Sequence, residues 1–195
     1  MKFPKIVPFF FILLFFAHCK KNNSSKNPLI AKENWRSETI DFPLDFAPSL
    51  DYSGIEYIRF APGWGNENAT DYFSYVFLWI IDQDPKLSSK KIESEMETYF
   101  DGLIAAVSKD DLSTEKRKLN AKAFFEKVND SVYAGKILTY DPFTTKKELN
   151  LNIIITHTFC KAENKYLVLF NLSPQTPEHS IWKKMKKIGI DLDCD

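Results

Sequence analysis

Residues 72 to 81 read Tyr-Phe-Ser-Tyr-Val-Phe-Leu-Trp-Ile-Ile, the longest apolar strand pattern in the chain. Side chains alternate across a strand, so Phe73, Tyr75, Phe77, Trp79 and Ile81 share one side while Tyr72, Val76, Leu78 and Ile80 share the other. A strand that is apolar on both sides implies protein on both sides, hence a central strand of a sheet covered on each face. The same aromatic row could alternatively line an open binding groove.

The surrounding pattern supplies the covering elements. Ile92, Met96, Tyr99, Phe100, Leu103, Ile104 and Val107 recur at spacings of three and four. They predict a helix over about Lys90–Ser108, capped by Ser88 or Ser89, with Glu93, Glu95, Glu97 and Asp101 on its wet side. Thr176-Pro177-Glu178 opens a second helix that buries Ile181, Trp182, Met185 and Ile188, solvates Lys183, Lys184, Lys186 and Lys187, and ends at Gly189. Strands are expected at Thr39–Phe46, Ile55–Phe60, Ala121–Val128, Val132–Tyr140, Leu149–Phe159 and Tyr166–Leu172. Pro43 confines the first of these to an edge. In the Leu149–Phe159 strand, Leu149, Leu151, Ile153, Ile155, His157 and Phe159 point inward. Short turns between consecutive strands favour antiparallel pairing. The expected fold class is α+β: a mostly antiparallel sheet of about six or seven strands, one long central helix and one short C-terminal helix.

The N-terminus follows a different logic. Lys2 and Lys5 precede a run from Ile6 to Ala17 that is almost wholly apolar and halts at His18-Cys19-Lys20-Lys21. The run is short of the roughly 20 residues a membrane-spanning helix needs, and it suits the apolar region of an export signal. The arrangement resembles the signal of bacterial lipoproteins, in which a small residue precedes a cysteine that is acylated and becomes the new N-terminus. Ala17 and Cys19 match that pattern. Phe16 stands where the family prefers Leu, and His18 where it prefers Gly, Ala or Ser. The resemblance implies lipidation at Cys19 and a membrane partner held through that anchor. Lys20, in place of the aspartate that retains such proteins in the inner membrane of enteric bacteria, favours the outer membrane of a bacterial cell envelope.

From Lys20 to Pro28 the chain is polar and reads as a flexible tether. The expected division is a signal peptide at 1–19, a tether at 20–34 and one domain at 35–195. About 165 residues suit a single core. Five of the 26 Lys and Arg, and none of the 26 Asp and Glu, lie in residues 1–28. The remainder therefore sets 21 basic against 26 acidic residues, a net charge of −5. An acidic body argues against nucleic acid as a partner, because phosphate-backbone binding needs a basic surface.

With Cys19 given to lipid, Cys160 and Cys194 remain as an even pair in an oxidising compartment, which predicts a disulfide between the end of a strand and the C-terminal tail. A Cys–His nucleophile is geometrically poor, because Cys160 and His157 lie three apart on a strand and so on opposite faces. No Gly-x-Ser-x-Gly elbow, Walker loop, dinucleotide glycine pattern, Cys-x-x-Cys or His-x-x-x-His is present. Asp191, Asp193 and Asp195 alternate as a calcium loop opens, without its glycine or closing Glu. The carboxylates at Asp82 and Asp84 form no pair with evident chemistry. No cofactor, metal or catalytic residue is assigned. Trp64, between Gly63 and Gly65, is the one possible ligand contact: loops carry function and Trp is enriched at hot spots. Its alternative role is a lid folded back on the core. The expected function is a membrane-tethered envelope lipoprotein acting by binding or assembly. The alternatives are a small-ligand or glycan binder using exposed aromatics, and a hydrolase whose site leaves no sequence signature.

Overall fold

The computed structural model describes residues 26–108 and 120–194. The apolar leader, Cys19 and Asp195 lie outside the described residues.

In chain order the elements are β1 (Leu29–Ile30), β2 (Arg36–Asp41), β3 (Gly54–Phe60), β4 (Tyr75–Ile81), α1 (Ser89–Val107), β5 (Lys122–Asn129), β6 (Val132–Tyr140), β7 (Glu148–Cys160), β8 (Lys165–Ser173), α2 (Ser180–Met185) and β9 (Gly189–Ile190). Seven strands form one sheet in the order β2-β3-β4-β8-β7-β6-β5, and β1 pairs with β9 in a separate two-stranded sheet. Every pairing is antiparallel. The molecule is α+β, as the periodicity implies. The connection through α1 carries the chain from β4 to the far edge at β5, and the meander β5 to β8 then returns to pair with β4.

β4 is buried on both faces. Tyr75, Phe77, Trp79 and Ile81 join the core under α1, while Val76 and Leu78 join a second core with Ile181, Trp182 and Met185 of α2. Two apolar faces thus meet two covering layers. The strand begins at Tyr75 and not at Tyr72, because residues 71–73 form a turn in which Phe73 adopts a φ of 47°. β2 likewise stops at Asp41, short of the expected Phe46. Pro43 has no amide to continue the ladder, and Ala47 N–H turns back to Leu44 O at 2.9 Å.

α1 starts as expected: Ser88 is the N-cap and its side chain accepts from the Lys91 N–H. Its acidic side differs from expectation. Glu93, Glu97 and Asp101 are not a solvent face; they accept hydrogen bonds from the backbone N–H groups of Phe125 (2.9 Å), Ala123 (3.1 Å) and Ala121 (2.6 Å). Four helical residues rise about 6 Å and two strand residues about 6.8 Å, so the two ladders stay nearly in step. The helix thereby satisfies donors along the outer edge of β5 that no strand pairs.

α2 is shorter than predicted. It starts at Ser180 with His179 as N-cap, its Nδ1 accepting from the Ile181 N–H at 3.2 Å. Thr176 instead offers its carbonyl to the Trp182 indole N–H at 2.8 Å. The domain also begins earlier than residue 35. Pro28 and Leu29 are buried, Leu29 pairs with Ile190, and the Arg59 side chain donates to Leu29 O at 3.0 Å. Pro28 and Leu29, which fall in the expected tether, therefore belong to the packed body, while Lys32, Glu33 and Asn34 are exposed. Phe159 is 43% exposed rather than inward, because β7 outruns the core and leaves Phe159 against Tyr166.

Cys160 and Cys194 are disulfide-bonded, with Cα atoms 4.5 Å apart. The bridge ties the tail beyond β9 to the end of β7 and joins the core beneath α2.

Candidate functional site

The link between β3 and β4 is a chain of tight turns. Ala61 N–H donates to Ser74 O, Trp64 N–H to Ala61 O and Phe73 N–H back to Trp64 O, at 3.0, 2.9 and 3.0 Å. A Cβ at Gly63 would stand 2.1 Å from Asp71 Oδ1, so the glycine permits Asp71 to accept from its amide at 3.3 Å. This closure holds Trp64 in one place. Positive φ at a buried, bulky residue such as Phe73 is sparsely populated backbone and occurs where surrounding structure imposes it.

The Trp64 ring is half-buried. It stacks on Phe73 at 5.4 Å and meets Phe60 and Phe143 edge-on at 4.9 and 5.0 Å. The Arg36 guanidinium lies over Phe60 at 4.2 Å and over Trp64 at 5.5 Å, within cation–π range. The Trp64 indole N–H is buried with no hydrogen-bond acceptor. The Trp64 ring is thus folded back against the core, with space beneath it. That space is a cleft of about 380 Å³ between β2–β4 and the C-terminal half of α1. Ile40, Ile58, Leu103, the rings of Tyr75 and Tyr99 and the aromatic lid supply the walls, and Arg36 and Glu38 supply charge. Ligand sites of this size are commonly apolar with a few placed polar groups.

Behind Tyr99 lies a fully buried carboxylate. Glu56 Oε2 accepts from the Trp79 indole N–H at 2.6 Å, and Oε1 from the Tyr99 hydroxyl at 3.0 Å. Burial pushes the Glu56 carboxyl up to about 7; the two hydrogen bonds work in the opposite direction, and the charge of Glu38 adds slightly to the rise. Burial together with the Glu56 charge also holds the Tyr75 and Tyr99 hydroxyls in the neutral form.

Asp141 fixes the far side of the lid. It accepts from the backbone N–H groups of Phe143, Thr144 and Thr145 at 2.8, 3.0 and 2.6 Å and from the Tyr72 hydroxyl. Burial alone would raise its pKa; these donors outweigh burial and lower it. The loop so formed presents Phe143 to Trp64.

The other residues singled out from sequence do not enter the cleft. His157 braces the β5–β6 hairpin through a contact of 3.0 Å between Nε2 and Asp130 O, and it is half-buried rather than part of the core. His179 is the cap of α2. Asp82 pairs with Lys165, and Asp191 lies 3.4 Å from Lys26. Among the described residues no group of three or more His, Cys, Asp or Glu is placed to hold a metal ion. No described helix is long and apolar enough to cross a membrane. Sequence reasoning missed Arg36, Glu56, Phe143 and Asp141 and read Tyr99 only as part of the packing stripe of α1; of the missed residues only Glu56 left a signal, since it alternates in phase with Ile58 and Phe60.

Set beside protein-family models, curated proteins and solved structures, the chain matches none of them.

Proposed function

We propose that this chain is a lipid-anchored binding protein of a bacterial cell envelope, whose ligand is a small, largely apolar molecule held beneath Trp64. The observation that supports it is the cleft of about 380 Å³ roofed by a clamped tryptophan whose buried N–H has no partner. The lipoprotein-like leader ending at Cys19 supplies the anchor. A flat sugar-stacking role fits Trp64 less well, because Phe73 is stacked against its ring and the Arg36 cation lies over it. Glu56 does not act on a ligand in this reading: it is sealed behind Trp79 and Tyr99, where it fixes the Tyr99 ring that walls the cleft. Bound ligand is selected by fit to the apolar walls, with Arg36 available to one or two polar atoms.

The test is ligand-detected NMR against a panel of apolar and amphipathic small molecules, with two variants. Leu103→Trp fills the cleft from α1 and is expected to abolish binding while the far-ultraviolet circular dichroism is retained. Trp64→Ala is expected to weaken binding at least tenfold. Unchanged affinities in both variants, or no binder in the panel, would reject the cleft. Mass spectrometry of the N-terminal peptide from membranes tests the anchor separately: a diacylated or triacylated Cys19 is expected, and an unmodified intact leader would reject it.

A further inference from the structure

The sheet face opposite α1 is only half covered. The core beneath α2 takes in residues of β3, β4, β8 and β7 and none of β6 or β5. Register places Phe124 opposite Lys136 and Lys136 opposite Asn152, so these belong to one face, the face of α2. On that face Phe124 and Leu138 are 59% and 48% exposed, and Val128 at its margin is 60% exposed. A groove of about 880 Å³ runs from Phe124 and Val128 to Trp182 at the root of α2.

The ground beside the groove is basic. Lys183, Lys184, Lys186 and Lys187 are all exposed, and among the described residues none of the four is in an ion pair. The groove itself is balanced, with Lys127 and Lys136 against Glu93 and Glu126, so the excess positive charge is that of the α2 lysines. The described chain enters at Lys26, beside Asp191, directly after α2 and β9. From Cys19 to Lys26 is 26 − 19 = 7 residues, which reach about 25 Å at full extension. A body anchored at Cys19 therefore cannot turn this side far from the bilayer.

We infer that this face rests on the anionic headgroups of the membrane that holds the anchor, with the α2 lysines in the headgroup layer and Phe124 and Val128 at its apolar boundary. The inference depends on the anchoring part of the proposed function and is independent of the cleft. Charge complementarity selects the occupant: four neighbouring cations without acceptors suit a negative plane, and the remainder of an acidic body is repelled from it, which sets the orientation.

The experiment uses the chain from Lys20 onward, which keeps every described residue and carries no lipid. Co-sedimentation is measured with vesicles of phosphatidylcholine alone and with 30% phosphatidylglycerol. Binding to the anionic vesicles only, falling steeply as salt rises to 0.5 M, is expected. Each α2 lysine changed to Gln lowers partitioning roughly fivefold, and the quadruple variant K183Q/K184Q/K186Q/K187Q loses binding. A Phe124→Trp variant shows a blue-shifted emission that brominated acyl chains quench. Equal binding to both vesicle types, no binding, or an unchanged quadruple variant overturns the inference. So does lysine-dependent capture of an acidic protein without any vesicle binding. None of these outcomes bears on whether Cys19 is acylated, which the N-terminal mass decides by itself.

Discussion

Glu56 carries the sharpest prediction of any single residue. Its carboxyl is raised to about 7 in the folded protein against an ordinary value of 4.5. The folded state therefore holds a proton that the unfolded chain releases, and this contribution to stability is complete below about pH 4.5 and is lost as pH rises to about 7. A shift of that size corresponds to about 3 kcal/mol. Glu56→Gln is expected to remove that fall, so the difference in urea-unfolding free energy between variant and wild type grows in favour of the variant across this interval. A difference that stays flat from pH 4.5 to 7 refutes the assignment. Asp141 behaves in the opposite sense, since its lowered pKa lends stability that disappears on acidification. Asp141→Ala strands three backbone donors and the Tyr72 hydroxyl, and is expected to cost roughly 2–4 kcal/mol by urea unfolding; a loss within 0.5 kcal/mol would count against its role in holding the Phe143 loop. At this scale the sequence was partly readable. The alternation of the Ile55–Phe60 strand sets Glu56 on the side of Ile58 and Phe60, although the residue was not singled out on that ground. Charge argues for the outside, and only the distant donors Trp79 and Tyr99 explain why that argument fails here.

At the scale of elements, α1 serves as both core and border. Its carboxylates at positions 93, 97 and 101 close the outer edge of β5, where an open strand would invite pairing with another chain. The triple variant E93A/E97A/D101A is expected to unprotect the Ala121, Ala123 and Phe125 amides in hydrogen exchange and to promote self-association; amides as protected as in wild type would show that the helix carboxylates do not hold that edge. Gly102 marks where the helix is approached from its other side. A Cβ there would stand 2.0 Å from Phe46 O. Gly102→Ala is therefore expected to destabilise by about 1–3 kcal/mol despite the better helix propensity of Ala, measured by urea unfolding. A stabilised variant would mean that the Phe46 segment yields freely. The helix and its buried stripe were legible because periodicity is local. The destination of its acids was not, since an acid at every fourth position looks the same whether it faces water or a strand edge.

For the molecule as a whole, antiparallel meanders and two covered faces follow from alternation, short turns and β4. The insertion of β8 next to β4, and the meeting of Trp64 with Phe143, join residues far apart in the chain and leave no periodic trace. The disulfide spans 34 positions. Its loss in C160S/C194S is expected to cost about 3–4 kcal/mol, read from urea midpoints with and without reductant; coincident midpoints would mean that the tail is held without it. The bridged tail follows directly on β9, which pairs with β1. Leu29, almost the first described residue, pairs with Ile190, almost the last. The two partners stand 190 − 29 = 161 positions apart. During synthesis from the N-terminus the opening strand therefore has no mate until residue 190 has appeared, and a chain halted before that point would be missing its clasp.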